Sequence, residues 1–115
     1  MFLDTQDLAR FGLLFARNGR WGQRQLVSED WIAKARTPGS DNQGYGYANW
    51  FLNTGQKAMP AAPASAVRFV GNGGNVVYVD RDHDLVIVTR WLRENVFQEV
   101  LGKVLGALPR RAADK

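Results

Sequence analysis

Residues 68–91 read RFVGNGGNVVYVDRDHDLVIVTRW, and this stretch decides the fold class. Strand-like runs at Val67–Val70 and Asn75–Val79 flank Gly71-Asn72-Gly73-Gly74, and a third, LVIVTRW over 85–91, follows Asp80-Arg81-Asp82-His83-Asp84. Val, Ile and Tyr at this density, bounded by Gly and Asp clusters, predict strands with a hairpin turn at 80–84. The return strand is apolar enough to be central in its sheet. Glycine inside a strand pattern marks a bulge or a place where backbone must approach another group closely. A ligand carbonyl beside such backbone would meet N–H groups unobstructed by side chains, as an oxyanion site requires. A plain bulge or hairpin accounts for the glycines equally well.

Toward the C-terminus, Asn95 and Gln98 form a capping-box-like pair. Phe97, Val100, Leu101, Val104, Leu105 and Leu108 then recur at helical spacing, predicting a helix over roughly 95–107 laid on one sheet face. Residues 109–115 read as a frayed tail. Toward the N-terminus, the Gly-, Ala- and Pro-rich 53–66 reads as a long excursion between strands. Tyr45–Leu52 reads as an aromatic strand interrupted by Gly46, and 38–44 (PGSDNQG) as a loop. The first 36 residues predict two helices. Asp4 or Thr5 caps the first, with Leu8, Phe11 and Phe15 on one face, and Asn18-Gly19 stops it. Trp21-Gly22 reads as a turn with an aromatic anchor. Ser28 caps the second helix, which would bury Trp31, Ile32 and Ala35 before Thr37-Pro38-Gly39 ends it. The expected architecture is α+β: antiparallel strands at 45–52, 67–71, 75–80 and 84–91 with helices packed on the sheet.

The chain has 115 residues, 45% hydrophobic and 23% charged, which suits a single folded domain over 1–115. It contains no cysteine, which excludes disulfides, a thiolate nucleophile and a Cys-ligated zinc site. No stretch approaches the ~20 apolar residues of a membrane helix, and Asp4 near the N-terminus, in place of a basic n-region, gives the expectation of no export signal. The expectation is a soluble protein without membrane contact, its compartment unassigned between periplasm and cytoplasm. Arg10, Arg17, Arg20, Arg24, Lys34 and Arg36 stand against Glu29 and Asp30, accounting for the whole net charge of +4. Without an accompanying nucleic-acid motif this reads as a solvated face with arginines paired to carboxylates, and no nucleic-acid partner is expected.

Hydrolytic chemistry needs a nucleophile with a base in reach. Ser28, Ser40 and Ser65 lie in neither a Gly-x-Ser-x-Gly elbow nor a Ser-x-x-Lys motif. His83, the sole histidine, reads as an exposed turn residue rather than a base or ligand. The Asp80/Asp82/Asp84 spacing lacks the Gly and distant Glu of a calcium loop. No metal or other cofactor is expected, and no catalytic residue is assigned within the chain.

DTQDLARFGLLFARNGRWGQRQLVSEDWI, YGYANW and GNGGNVVYVDRDHDLVIV together resemble, in order and spacing, the serine hydrolases related to class C β-lactamases and penicillin-binding proteins. The esterases and amide hydrolases of that family, such as the aminohexanoate-dimer type, are included in the resemblance. It extends from residue 4 to about 108 and implies the C-terminal part of a β-lactamase/transpeptidase-like fold. The family's Ser-x-x-Lys and Tyr-x-Asn motifs belong upstream of the DLARFG helix and do not precede it here. Tyr47-Ala48-Asn49 spells the second motif but falls in the wrong place, inside the Tyr-Gly-Tyr-x-x-Trp strand, so it reads as a chance match. The third motif, Lys-Thr-Gly or His-x-Gly, aligns with Phe69-Val70-Gly71. Phe69 replaces the cation, which removes its contribution to carboxylate recognition.

By resemblance, the N–H of Asn72 belongs to an oxyanion hole beside Gly71, and Tyr47 and Trp50 are candidate pocket walls. Gly71-Asn72-Gly73-Gly74-Asn75 fits the family's Gly-x-Gly-Gly-Gln/Asn subset. The implied function is that of the C-terminal segment of a serine hydrolase acting on a small ester or amide through an acyl-serine intermediate. This chain alone would be inactive. The alternative is a non-catalytic truncated module that self-associates through its uncovered sheet or docks to a partner.

Overall fold

A computed structural model describes residues 3–52 and 59–109. The expected tail falls almost entirely on 110–115, and the first six residues of the 53–66 excursion are 53–58; both stretches lie outside the described residues.

Helix α1 (Thr5–Ala16) starts where Asp4 accepts a hydrogen bond from Asp7 N at 2.7 Å. It stops at Asn18 and Gly19, both left-handed (φ +57° and +81°), as the Asn-Gly pair predicts. Arg20–Trp21 (β1) and Arg24–Gln25 (β2) form a small hairpin around Gly22. Trp21 stays half exposed rather than anchoring the turn, because the two-residue strands offer no layer to bury it. Ser28 caps α2 (Glu29–Ala35), its hydroxyl accepting from Trp31 N. Ile32 and Ala35 are buried as expected, but Trp31 is 46% exposed. A seven-residue helix presents only a narrow buried face, and the Trp31 ring packs edge-on against Tyr47 outside it.

The main sheet is antiparallel, in the order β3 (Trp50–Phe51), β4 (Val67–Gly71), β5 (Asn75–Asp80), β6 (Leu85–Thr89). Side-chain alternation divides it into two apolar layers. Val67, Val77 and Val79, with Phe69, Val86 and Val88, join Phe15, Ala16, Ile32 and Ala35 on the α1 side. Val76 and Tyr78, with Leu85 and Ile87, meet Phe97 and Leu101 of α3 (Glu94–Ala107) on the other. Gly12 lets α1 approach the sheet closely: a Cβ there would come within 2.6 Å of Val86 Cγ1 and 2.9 Å of Val77 Cγ1.

The α+β expectation and the strands at 67–71 and 75–80 hold; four details change. Tyr45–Leu52 is not a continuous strand. Only Trp50–Phe51 pairs with β4, while Tyr45 and Trp50 form an isolated bridge. The chain doubles back between them because Ala48 is left-handed (φ +61°) and Gly46 N donates to Asn49 O. The return strand stops at Thr89 and is an edge among the described residues, its side chains partly buried on both faces. Helix α3 opens at Glu94 with Arg93 as N-cap and no side-chain cap bond, displacing the Asn95–Gln98 box. The Glu94 carboxylate is held instead by both terminal nitrogens of Arg68 at 2.8 and 2.9 Å, which pins the helix start to β4. His83 is half-buried rather than exposed, because it reaches back to Asp80.

Candidate active site

β3 covers only Val67 and Arg68 of β4. Phe69, Val70 and Gly71 therefore pair with β5 on one side and, among the described residues, with no strand on the other. Such an edge presents unpaired backbone donors and acceptors to whatever lies beside it. A cleft of about 210 Å³ opens here, lined by Leu8, Ala48, Phe69, Val70, Gly71, Asn75, Val76 and Val77.

The three third-motif positions have separate roles. Phe69 packs its ring edge-on against Phe11 and Phe15 of α1, with centroids 4.9 and 5.1 Å away. The position that carries a cation in the resembled family is here part of the apolar layer. Val70 is half exposed. Gly71 is extended, and a Cβ on it would meet only Asn75, at 3.8 Å or beyond. The chain's own packing places no demand for glycine at 71.

Gly73 and Gly74 behave differently. Asn72, Gly73 and Gly74 form the turn between paired Gly71 and Asn75, with φ of +86° and +76° at the two glycines. A Cβ at 74 would lie 1.9 Å from Leu92 O, and one at 73 would lie 2.3 Å from the Trp91 ring. These glycines serve a tight turn with the 91–92 segment packed onto it.

The turn is braced by two residues that sequence reading missed. Asn75 Nδ2 donates to Asn72 O at 2.8 Å, and Asn75 Oδ1 accepts from Arg90 Nε at 2.9 Å. Arg90 also donates through Nη1 to Leu3 O at 3.1 Å. The signal available was Asn75 itself, the polar residue that closes the Gly71–Asn75 motif. Arg90 had none, because its partner lies 15 residues away.

Tyr47 and Trp50 do not line the Gly71 cleft. Tyr47 lies against Trp31 and borders a separate hollow with Lys34, Thr37, Pro38 and Gly39. Trp50 stacks edge-on with Tyr45 at 4.6 Å. The residue between them, Ala48, does reach the cleft. Asn49 is fully buried, and its amide nitrogen donates to Ala35 O and Tyr47 O at 3.0 Å each, which ties the loop to α2.

At the other end of β5, buried Asp80 accepts from Tyr78 OH (2.9 Å) and from His83 N (3.0 Å), with His83 Nδ1 2.7 Å away. Burial, and then the Asp80 carboxylate, push the Tyr78 phenol far above its ordinary value, so it remains a donor. Among the described residues no group of three or more His, Asp or Glu side chains could hold a metal. None of the three serine hydroxyls bonds a histidine or lysine there: Ser28 caps α2, Ser40 donates to Asp41 Oδ1, and buried Ser65 Oγ has no partner. In the basic region, Arg10 pairs with Asp7, Arg17 with Asp84 and Arg20 with Glu29. No described helix is long and apolar enough to cross a membrane.

Two solved structures share the fold of this antiparallel sheet with its helices. A Bacillus anthracis protein provisionally described as a 6-aminohexanoate-dimer hydrolase matches with a TM-score of 0.61 at 18% identity, over 89% of this chain and 27% of that one. The fold is β-lactamase-like. A Bacteroides dorei DSM 17855 protein provisionally described as a β-lactamase matches with a TM-score of 0.59 at 15% identity, over 88% of this chain and 39% of that one. The β-lactamase-like segment described here thus spans well under half the length of either structure, corresponding to a C-terminal portion of the fold. No protein-family model and no curated protein matches the chain.

Proposed function

We propose that this chain is the substrate-edge portion of a serine hydrolase that cleaves a small ester or amide through an acyl-serine intermediate. The observation that carries this reading is the unpaired edge of Phe69–Gly71, ending in a glycine that the chain's own packing does not require. The β-lactamase-like fold supports it. The nucleophilic serine and its base come from outside residues 1–115. Serine Oγ adds to the substrate carbonyl while its proton passes to the base. The carbonyl oxygen becomes an oxyanion beside the backbone N–H of Asn72, and fixed dipoles there stabilise it as charge develops. Collapse breaks the C–O or C–N bond, and the leaving group takes the proton. Water repeats the sequence on the acyl-enzyme, releasing the acid and restoring the serine. Phe69, committed to the α1 layer, leaves no cation for a substrate carboxylate at that position, which favours neutral esters and amides.

Fluorophosphonate labelling tests this reading. In the full-length polypeptide containing residues 1–115, one serine outside that range should be labelled, with loss of nitrophenyl-ester turnover. The 115-residue chain alone should neither label nor turn over. Stoichiometric labelling of Ser28, Ser40 or Ser65 would contradict the assignment.

A second reading, a non-catalytic module that self-associates, is favoured by β6. Among the described residues Leu85–Thr89 is an edge strand, with apolar side chains on both faces and no charge, proline or bulge within it. Sedimentation of the 115-residue chain across the micromolar range reads this directly. A concentration-dependent dimer supports the module, and a monomer throughout argues against it.

A further inference from the structure

The residue that follows β6 and Arg90 adopts a backbone conformation that bulky side chains rarely take. Trp91 has φ +59° and is 71% exposed. A left-handed bulky residue is a genuine outlier, and such strain concentrates where a side chain must be aimed. Neighbouring contacts hold the strain in place. Leu92 N donates to Gly74 O at 3.3 Å, and the Leu92 carbonyl occupies the space that a side chain at 74 would need. One edge of the indole lies over Gly73, in the turn that follows Gly71. The rest of the ring is free.

Beside the indole is a hollow of about 390 Å³ lined by Val70, Gly73, Gly74, Val76, Trp91, Leu92, Arg93 and Glu94. Val70 and Val76, paired across β4 and β5, also line the Gly71 cleft, so the two spaces adjoin at the end of one hairpin. Both carboxylate oxygens of Glu94 are engaged by Arg68, which leaves the rim without an unpaired anion to repel an apolar group. Core packing does not account for the ring: it is too exposed to contribute much burial, and its contact with Gly73 explains the glycine rather than the tryptophan.

We infer that Trp91 is a specificity-determining residue of the hydrolytic site, forming an aromatic wall that receives a flat aryl group of the ester or amide substrate. The inference rests on the hydrolase reading above. An indole face and two valines offer an aryl ring stacking and burial that a short alkyl chain cannot use to the same extent.

The test compares aryl with alkyl esters in the full-length polypeptide, using one pair with the ring on the acyl side and one with it on the alcohol side. Trp91→Gly relieves the left-handed strain, so the variant should unfold no more readily than wild type. Its aryl-to-alkyl ratio of kcat/KM should fall about tenfold or more for at least one pair, through KM, and Trp91→Phe should restore most of it. A merely structural role would lower both substrates alike. An unchanged ratio for both pairs overturns the inference. If Gly71→Val abolishes turnover in the same polypeptide while the ratio is unchanged, only the role of Trp91 fails. If Gly71→Val is also silent, the placement of the hydrolytic site at this strand edge fails with it.

Discussion

The side chain of Asn75 bridges the turn that it closes: its Nδ2 donates to Asn72 O at 2.8 Å while its Oδ1 is held by Arg90 Nε. The peptide units around Asn72 are thereby fixed before any ligand arrives, which is what preorganised electrostatic stabilisation requires. Asn75→Ala removes both bonds. It should cost about 1–3 kcal/mol in urea unfolding of the 115-residue chain, at about 0.5–1.5 kcal/mol for each bond. A loss below a few tenths would mean that the brace is incidental.

Two glycines of one motif should respond in opposite ways. A Cβ at 71 meets only ordinary contacts, and Gly71→Val should shift stability by no more than about 1 kcal/mol. Gly74→Ala forces a Cβ onto Leu92 O from a left-handed backbone and should cost about 2 kcal/mol or more. Denaturation of the two variants side by side checks this, and equal losses would contradict it.

Acid should loosen the attachment of α3 to the sheet. Hydrogen bonds from Arg68 hold the Glu94 carboxyl below its ordinary value of 4.5, against an opposing effect of burial. A depressed pKa contributes stability that is present above that ordinary value and is lost as pH falls through the lower, folded one. Urea midpoints from pH 6 to 3 should therefore fall more steeply for wild type than for Glu94→Gln. The effect should be modest, because Glu94 is about half exposed. Parallel curves would show that the pair contributes nothing.

Base should act through Tyr78. Its folded pKa lies above the ordinary 10.0, so the stabilisation is complete below pH 10 and is lost as pH rises beyond it. Tyr78→Phe should cost about 1–3 kcal/mol at neutral pH by removing a donor from buried Asp80. It should also flatten the decline in stability above pH 10. A variant as stable as wild type at pH 7 would mean that water replaces the hydroxyl.

The elements legible in the sequence are those whose cause is local. Asp4 and Ser28 cap their helices within three residues, Asn18-Gly19 ends α1, and the Val-rich runs around Gly71–Asn75 pair in a hairpin. What escaped depends on distant partners. Tyr45–Leu52 looks like a strand until Gly46 is seen against Ala35 O and the Phe51 ring. LVIVTRW looks central, yet whether a strand has neighbours on both sides is not encoded in the strand itself. Helix α3 starts early because Glu94 reaches Arg68, 26 residues away. In the site, Gly71 was visible through its motif, whereas the Asn75–Arg90 brace and the left-handed Trp91 emerge only when β5, β6 and the turn are assembled.

The central claim is that the strand edge at Gly71 and Asn72 faces the reacting carbonyl through its backbone. Its most direct test is kcat/KM for an ester substrate in the full-length polypeptide carrying Gly71→Val or Asn72→Ala. A Cβ-branched side chain at 71 would stand between the edge and the substrate without unfolding the chain, so Gly71→Val should lose about 100-fold or more, the scale of one oxyanion donor. Asn72→Ala keeps both the backbone N–H and the carbonyl that Asn75 holds, and should lose far less. Intact kcat/KM in Gly71→Val, together with abolished turnover in Asn72→Ala, would contradict the account and move the active site away from this edge.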